Sequence, residues 1–288
     1  MVRAKTKSIK TFKCHYALII SERQAELISH ATELYARFGT GHFFVLEKFF
    51  WTDLKRARPH FEKLQLIKNG SLDVLPGIYA AEDNYRVLYD LHQVIRHRLL
   101  HVQDPKAKLW TVNYNTPLRA SKRESLARFE EIVVKGDLKN AASYVTKKKP
   151  SDCRYVLEIS ERQAQLISDA VELNARLGMG QFEELTCFFW SKGESMAEAR
   201  SHIDSLRLIK NGSLNSSPGI CSKSVDDDYR VLYDLHQVIR HRLAWDHDPQ
   251  ATTCKDVRYD TPRQLSKDEH LAAISAVAVI PTRGKSNA

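Results

Sequence analysis

Four residue types that could grip a small anion or a flat ring recur at helical spacing in this chain, twice. Tyr229, Tyr233, His236 and Arg240 stand at i, i+4, i+7 and i+11, and Tyr85, Tyr89, His92 and Arg96 repeat the pattern. On an α-helix these positions fall within roughly 60° of one another. Two phenols, an imidazole and a guanidinium in one row could sandwich an aromatic base and bind phosphate through paired hydrogen bonds. The alternative is structural: tyrosines pack with the hydroxyl at a rim, and arginine stems cover apolar surface.

The elements that must position this row follow from its surroundings. The row sits in a stretch, Tyr229 to Leu243, that matches Tyr85 to Leu99 letter for letter. Val231, Leu232, Leu235, Val238, Ile239 and Leu243 fall on a broad apolar arc, so each stretch reads as a helix with one buried face. Acidic residues precede it (Glu82, Asp83; Asp226, Asp227, Asp228), as suits a helix N-terminus. His97 and His241 lie on another side of the helix, beside Arg230, Asp234 or their equivalents, and are expected to face solvent.

The duplication extends over most of the chain. Cys14-His-Tyr-Ala-Leu-Ile-Ile20 and Cys153-Arg-Tyr-Val-Leu-Glu-Ile159 alternate with the period of a half-buried strand. Ser21 with Gln24, and Ser160 with Gln163, have the spacing of a capping box opening a helix. That helix ends near Gly39-Thr-Gly41 and Gly178-Met-Gly180. A short second helix carries Phe43, Leu46 and Phe50, matched by Phe182, Leu185 and Phe189, and runs to Trp51 or Trp190. A third helix carries Met196, Ala199, Ile203 and Leu206; in the first copy Pro59 predicts a later start. An identical heptapeptide follows, Leu66 to Leu72 and Leu208 to Leu214, with Asn-Gly marking a turn. After the long helix come strand candidates Val112–Tyr114 and Val257–Tyr259. Capping-box spacings at Ser121/Glu124 and Ser266/Glu269 then predict a last short helix, and Leu271–Ile280 reads as a buried terminal helix or strand.

The expected fold is α+β: two tandem, mainly helical repeats, each with two short strands that combine into a small antiparallel sheet. The boundaries read as a basic segment 1–13, repeat 1 at 14–135, a basic linker 136–152, repeat 2 at 153–280 and a tail 281–288. The repeats should dock on each other.

Charge argues against one class of partner. The formal net charge is +9, but repeat 1 holds 18 basic against 14 acidic residues and repeat 2 holds 15 against 19. The surplus therefore lies in the ends and the linker, so nucleic acid would be held there and not on a folded face. No apolar run approaches the ~20 residues of a membrane helix. Five cysteines in no metal-ligand spacing predict free thiols and a cytoplasmic protein.

Gly178-Met-Gly-Gln-Phe182 could offer amides to a phosphate, but without a preceding strand it reads as a helix–turn–helix corner. Glu183 and Glu184, absent from repeat 1, read as solvated charges. Nothing matches a nucleophile elbow, a zinc signature or a kinase set. The expectation is a non-enzymatic protein with no cofactor and no metal.

Repeat 2, in Arg176-Leu-Gly-Met-Gly-Gln-Phe-Glu-Glu184 and in Asp228 to Asp246, resembles small proteins encoded by tailed bacteriophages. Repeat 1 departs from the pattern, with Gly41-His-Phe-Phe-Val45 in the corresponding place. The resemblance implies an accessory protein in the cytoplasm of an infected bacterium. It carries no catalytic residue. By analogy, such a protein sequesters a phosphorylated or nucleotide-like signal, or docks on a host protein to neutralise it.

Overall fold

The computed structural model describes residues 15–72, 76–103, 116–132, 154–192, 195–215, 217–249 and 256–277. The segments 1–13, 136–152 and 281–288, and the strand candidate Val112–Tyr114, lie outside them.

Strand β1 (His15–Ser21) leads into α1 (Glu22–Gly39), a 3-10 helix (Phe43–Phe49), α2 (Leu54–Asn69), the long α3 (Asp83–Gln103) and β2 (Arg128–Ile132). The same order follows in β3 (Arg154–Ser160), α4 (Glu161–Gly178), a 3-10 helix (Phe182–Lys192), α5 (Ser195–Asn211), the long α6 (Asp227–His247) and β4 (Ala273–Val277). The fold is α+β, mostly helical, with one antiparallel sheet in the order β2-β3-β1-β4.

The register is informative. β1 and β3 pair at the centre with Leu18 opposite Leu157, residues that hold the same place in the two alternating runs. β2 then pairs with β3, and β4 with β1. Each closing strand thus completes the sheet beside the opening strand of the other half. Tyr16, Leu18, Ile20, Tyr155, Leu157 and Ile159 turn inward against α1, α3, α4 and α6. Full burial of such side chains stabilises by about 1.5–3 kcal/mol each. A second cluster, rich in phenylalanine, joins the ends of α1 and α4 to the 3-10 segments, α2 and α5.

Both opening capping boxes form. Ser21 Oγ accepts from the Gln24 amide at 3.1 Å and Ser160 Oγ from the Gln163 amide at 3.2 Å, while each glutamine accepts from its serine amide. The closing ones do not. Ser121 Oγ donates to the Glu124 carbonyl, and Ser266 Oγ gives its one proton to the Asp234 carboxylate at 2.7 Å with the Glu269 carbonyl close by, so each makes a turn that runs on toward a strand, not a helix. Val257–Tyr259 is likewise corrected from strand to a single 3-10 turn, capped by Asp256. The Leu271–Ile280 reading resolves to β4, with Ser275 and Ala276 exposed.

Pro59 does not delay α2, which begins at Leu54 and carries the proline inside. The ring lies on the exposed side, where water can take the carbonyl it orphans. Replacing Pro59 with Ala should therefore raise stability by about 1–3 kcal/mol, read as a higher urea midpoint at unchanged slope.

Candidate functional site

The long helices place the row as predicted in sequence and spend most of it internally. The chain of reasons starts on α1 and α4, where Ser29 and Ser168 face the imidazoles. His92 Nδ1 lies 3.1 Å from the Ser29 carbonyl and 3.0 Å from its hydroxyl; its Nε2 faces Arg96 Nη1 at 3.3 Å. A carbonyl can only accept and a guanidinium can only donate, which fixes the neutral tautomer protonated at Nδ1. His236 repeats this with Ser168 (3.3 and 3.0 Å) and Arg240 (3.4 Å). Arg240 also donates to the Val257 carbonyl at 2.9 Å.

Both imidazoles are buried, at 4% and 5% exposure. Burial pushes each below the usual histidine range, against the pull of Glu33 or Glu172 and with the help of the neighbouring arginine. Protonation at Nε2 would aim an N–H at an arginine N–H. The unfolded chain binds that proton near pH 6.5 and the native chain does not, so stability is lost as pH falls below about 6.5. Urea denaturation at pH 7.5 and 5.5 should show a loss of up to about 1.4 kcal/mol per pH unit per buried histidine. His236→Gln should flatten part of that slope.

Tyr85 and Tyr229 are half-buried. The Tyr85 ring lies 6.2 Å from those of Tyr35 and Phe188, and Tyr229 lies 6.3 Å from Phe49. Burial pushes both phenols up to about 12. Tyr89 and Tyr233, also half-buried, pack on the sheet core with their rings near His92 and His236. The row is thus not exposed along its length: its imidazoles are buried and its phenols half-buried. The row is a second packing face, because each long helix is contacted on more than one side.

The expectation of a solvent-facing third side is corrected too. Asp90 and Asp234 are each 2% exposed. Asp90 accepts from the Ala120 and Ser121 amides, and Asp234 from the Leu265 and Ser266 amides and the Ser266 hydroxyl. Arg86 and Arg230 are buried against carbonyls of the turn that precedes each helix. His97 and His241 are half-buried beside His101 and Trp245 respectively.

One member of the row reaches a cavity. Tyr229 borders a cleft of about 630 Å³ with Met179, Lys210, Asn211, Ser217 and Pro218. Lys210 donates to the Phe49 carbonyl at 2.7 Å, and burial lowers its ammonium below the usual range while Asp53 opposes. The Gly178-to-Phe182 corner carries Gly180 at φ 78°, and Asn211 donates to the Gly180 carbonyl at 2.9 Å. Asn69 and Gly41 repeat that bond, and Lys68 reaches the Phe188 carbonyl as Lys210 reaches Phe49. These contacts give the identical heptapeptide its work. Glu183 and Glu184 are not simply solvated, since they pair with Arg207 and Arg176.

Two tryptophans, marked in the sequence only as the ends of the second helices, stand out in the structure. Trp51, just past the first 3-10 segment, is 83% exposed, and Trp190, within the second, is 71% exposed; each is the third of three consecutive aromatics. The preceding Phe49–Phe50 and Phe188–Phe189 pairs both turn into the aromatic cluster, which leaves the third consecutive aromatic outside. Three aromatics in a row at the end of a short helix were the available signal.

Among the described residues no helix is long and apolar enough to cross a membrane, and no group of three or more His, Cys, Asp or Glu is placed to hold a metal ion. Comparison with protein-family models, with curated proteins and with solved structures returned no match.

Proposed function

We propose that this chain is a non-enzymatic binding protein that docks on another protein through Trp51 and Trp190. The observation that carries the reading is their exposure, 83% and 71%, the two highest among the exposed large hydrophobics of the described residues and at equivalent positions of the two halves. Tryptophan is buried on average, and it leads the residues that dominate binding energy at interfaces. Covering an indole from water returns several kcal/mol from its area alone. With His92, His236 and Arg240 engaged internally, the outward anchors are the tryptophans. The tailed-phage resemblance makes a host protein the natural partner, and neutralising it the natural purpose.

Affinity capture from bacterial lysate, then titration of the purified partner against wild type, Trp51→Ala and Trp190→Ala, tests this. Each change should weaken binding by roughly 30-fold or more, the scale of an interface anchor. Capture of nothing, or equal binding by the double variant, would discard the reading.

A small phosphorylated or nucleotide-like ligand is the second reading, now narrowed to the cleft at Tyr229. That cleft offers a lysine, an amide side chain, two serine hydroxyls and a phenol to a polar ligand, with the Asp226 carboxylate also on its wall. Calorimetry against a nucleotide panel should then show binding that Lys210→Ala weakens and Arg240→Ala leaves intact.

A further inference from the structure

His60 on α2 and His202 on α5 meet where the two helices cross. Their Nδ1 atoms are 3.1 Å apart and their ring centroids 5.4 Å apart. The centroid separation matches the nitrogen gap plus the two ring radii, the largest value it could take, so the nitrogens point at each other along one line. This is the geometry of an N–H···N hydrogen bond, in which one ring donates and the other accepts. Such a bond requires one of the two facing nitrogens to be bare. We propose that the His60–His202 contact is a proton-counting link that holds α2 to α5 near neutral pH and opens them in mild acid.

The first proton added to the pair can be shared along the bond. A second places N–H against N–H at hydrogen-bond distance between two cations, and the helices must part. The charges around the pair do not cancel this. Glu198, one turn before His202, favours protonation; Lys63, on α2, opposes it. Arg56, one turn before His60, is paired with Asp53. The 3-10 segments packed on α2 and α5 bring Glu47, Lys48, Glu183 and Glu184. Glu47 pairs with Arg58, Glu183 with Arg207 and Glu184 with Arg176, while Lys48 turns to Asn174. Half-burial holds both imidazoles below their usual range. The native pair therefore binds fewer protons than the unfolded chain below about pH 6.5, and the link weakens as pH falls.

The link is local, which separates it from the buried His92 and His236. Opening at α2 and α5 would expose Phe61, Leu64, Ile203 and Leu206 while the sheet and the long helices stay closed. Hydrogen exchange of the full chain at pH 7.5 and 5.0, corrected for intrinsic rates, tests this. Wild-type α2 and α5 amides should lose roughly tenfold more protection than those of α3 and α6, a factor equivalent to one pKa unit. His202→Gln, which keeps a donor and an acceptor but cannot charge, should remove that excess. His60→Gln serves as the second variant should the first fold poorly. An equal loss in both variants, or a loss spread evenly over α3 and α6, would overturn the proposal.

Discussion

Gly178→Ala is expected to destabilise the protein by about 1–2 kcal/mol, at a helix position where the same change ordinarily stabilises by about 0.5–1 kcal/mol. Gly178 is the last residue of α4, with no positive φ, so helix propensity alone favours alanine there. A Cβ at this position would meet the Tyr229 ring at 2.3 Å, and one at Gly39 would meet the Tyr85 ring at 2.2 Å. Each ring is backed by other aromatics, Tyr229 by Phe49 and Tyr85 by Tyr35 and Phe188, so it can yield to the Cβ only by giving up that packing. The sign of the change is therefore diagnostic. Were Tyr229 the end of an unattached ridge, its ring would swing into water and alanine would stabilise. Denaturation of Gly178→Ala, Tyr229→Ala and the double variant decides it. The double variant should lose about 2 kcal/mol less than the sum of the singles, because removing the ring removes the collision.

The same residues show what the sequence could and could not reveal. The alternation of Tyr16, Leu18 and Ile20 was readable because one sheet face is buried and the other is not, and period two records only that difference. The partners of β2 and β4 were not readable, since each pairs with a strand from the other half and no local pattern encodes that. Capping boxes were half legible. The spacing at Ser21 and at Ser121 is alike, but the Glu124 carboxylate is drawn to the Ser160 hydroxyl at 2.9 Å, so no amide at its own Ser121 is capped by it. Ser121 and the Ser160 hydroxyl that competes with it come together only in the folded sheet.

The Tyr/His/Arg row failed as a ridge for a related reason. Its helical spacing was correct, but spacing places residues on a common side without saying what covers that side. Ser29 and Ser168, which hold the imidazoles, look like ordinary helix serines until α1 lies against α3 and α4 against α6. Packing constrains most positions of the identical stretch. In each long helix the apolar arc packs on the sheet, the row packs on α1 or α4, and the remaining side holds the returning chain. Few positions are left on which a substitution would be neutral, whereas Phe44 and Val45 could diverge from Glu183 and Glu184 at the rim.

That remaining side sets the second large effect. Asp234→Ala should cost about 3–5 kcal/mol, the cost of stranding buried partners of a lost charge. Its carboxylate accepts from the Leu265 amide at 3.0 Å, the Ser266 amide at 3.0 Å and the Ser266 hydroxyl at 2.7 Å. Ser266 is 6% exposed, so water cannot readily replace the acceptor. Asn would keep one oxygen but turn its amide toward those donors, and should recover less than half of the loss. Gln237, which brackets Arg263 through both its carbonyl and its amide, is more exposed and should matter less, about 1 kcal/mol or below. The loss at Asp234 should also be directional. The 263–267 segment leads toward β4, which among the described residues pairs with β1 and with no other strand, so β4 is the element this anchor holds in register. Hydrogen exchange in Asp234→Ala should show β4 released before α6 loosens, and Asp90→Ala should release β2 from β3 in the same way. Equal loosening of β2 and β4 in either variant would mean that the two carboxylates stabilise the fold as a whole and do not each hold one strand.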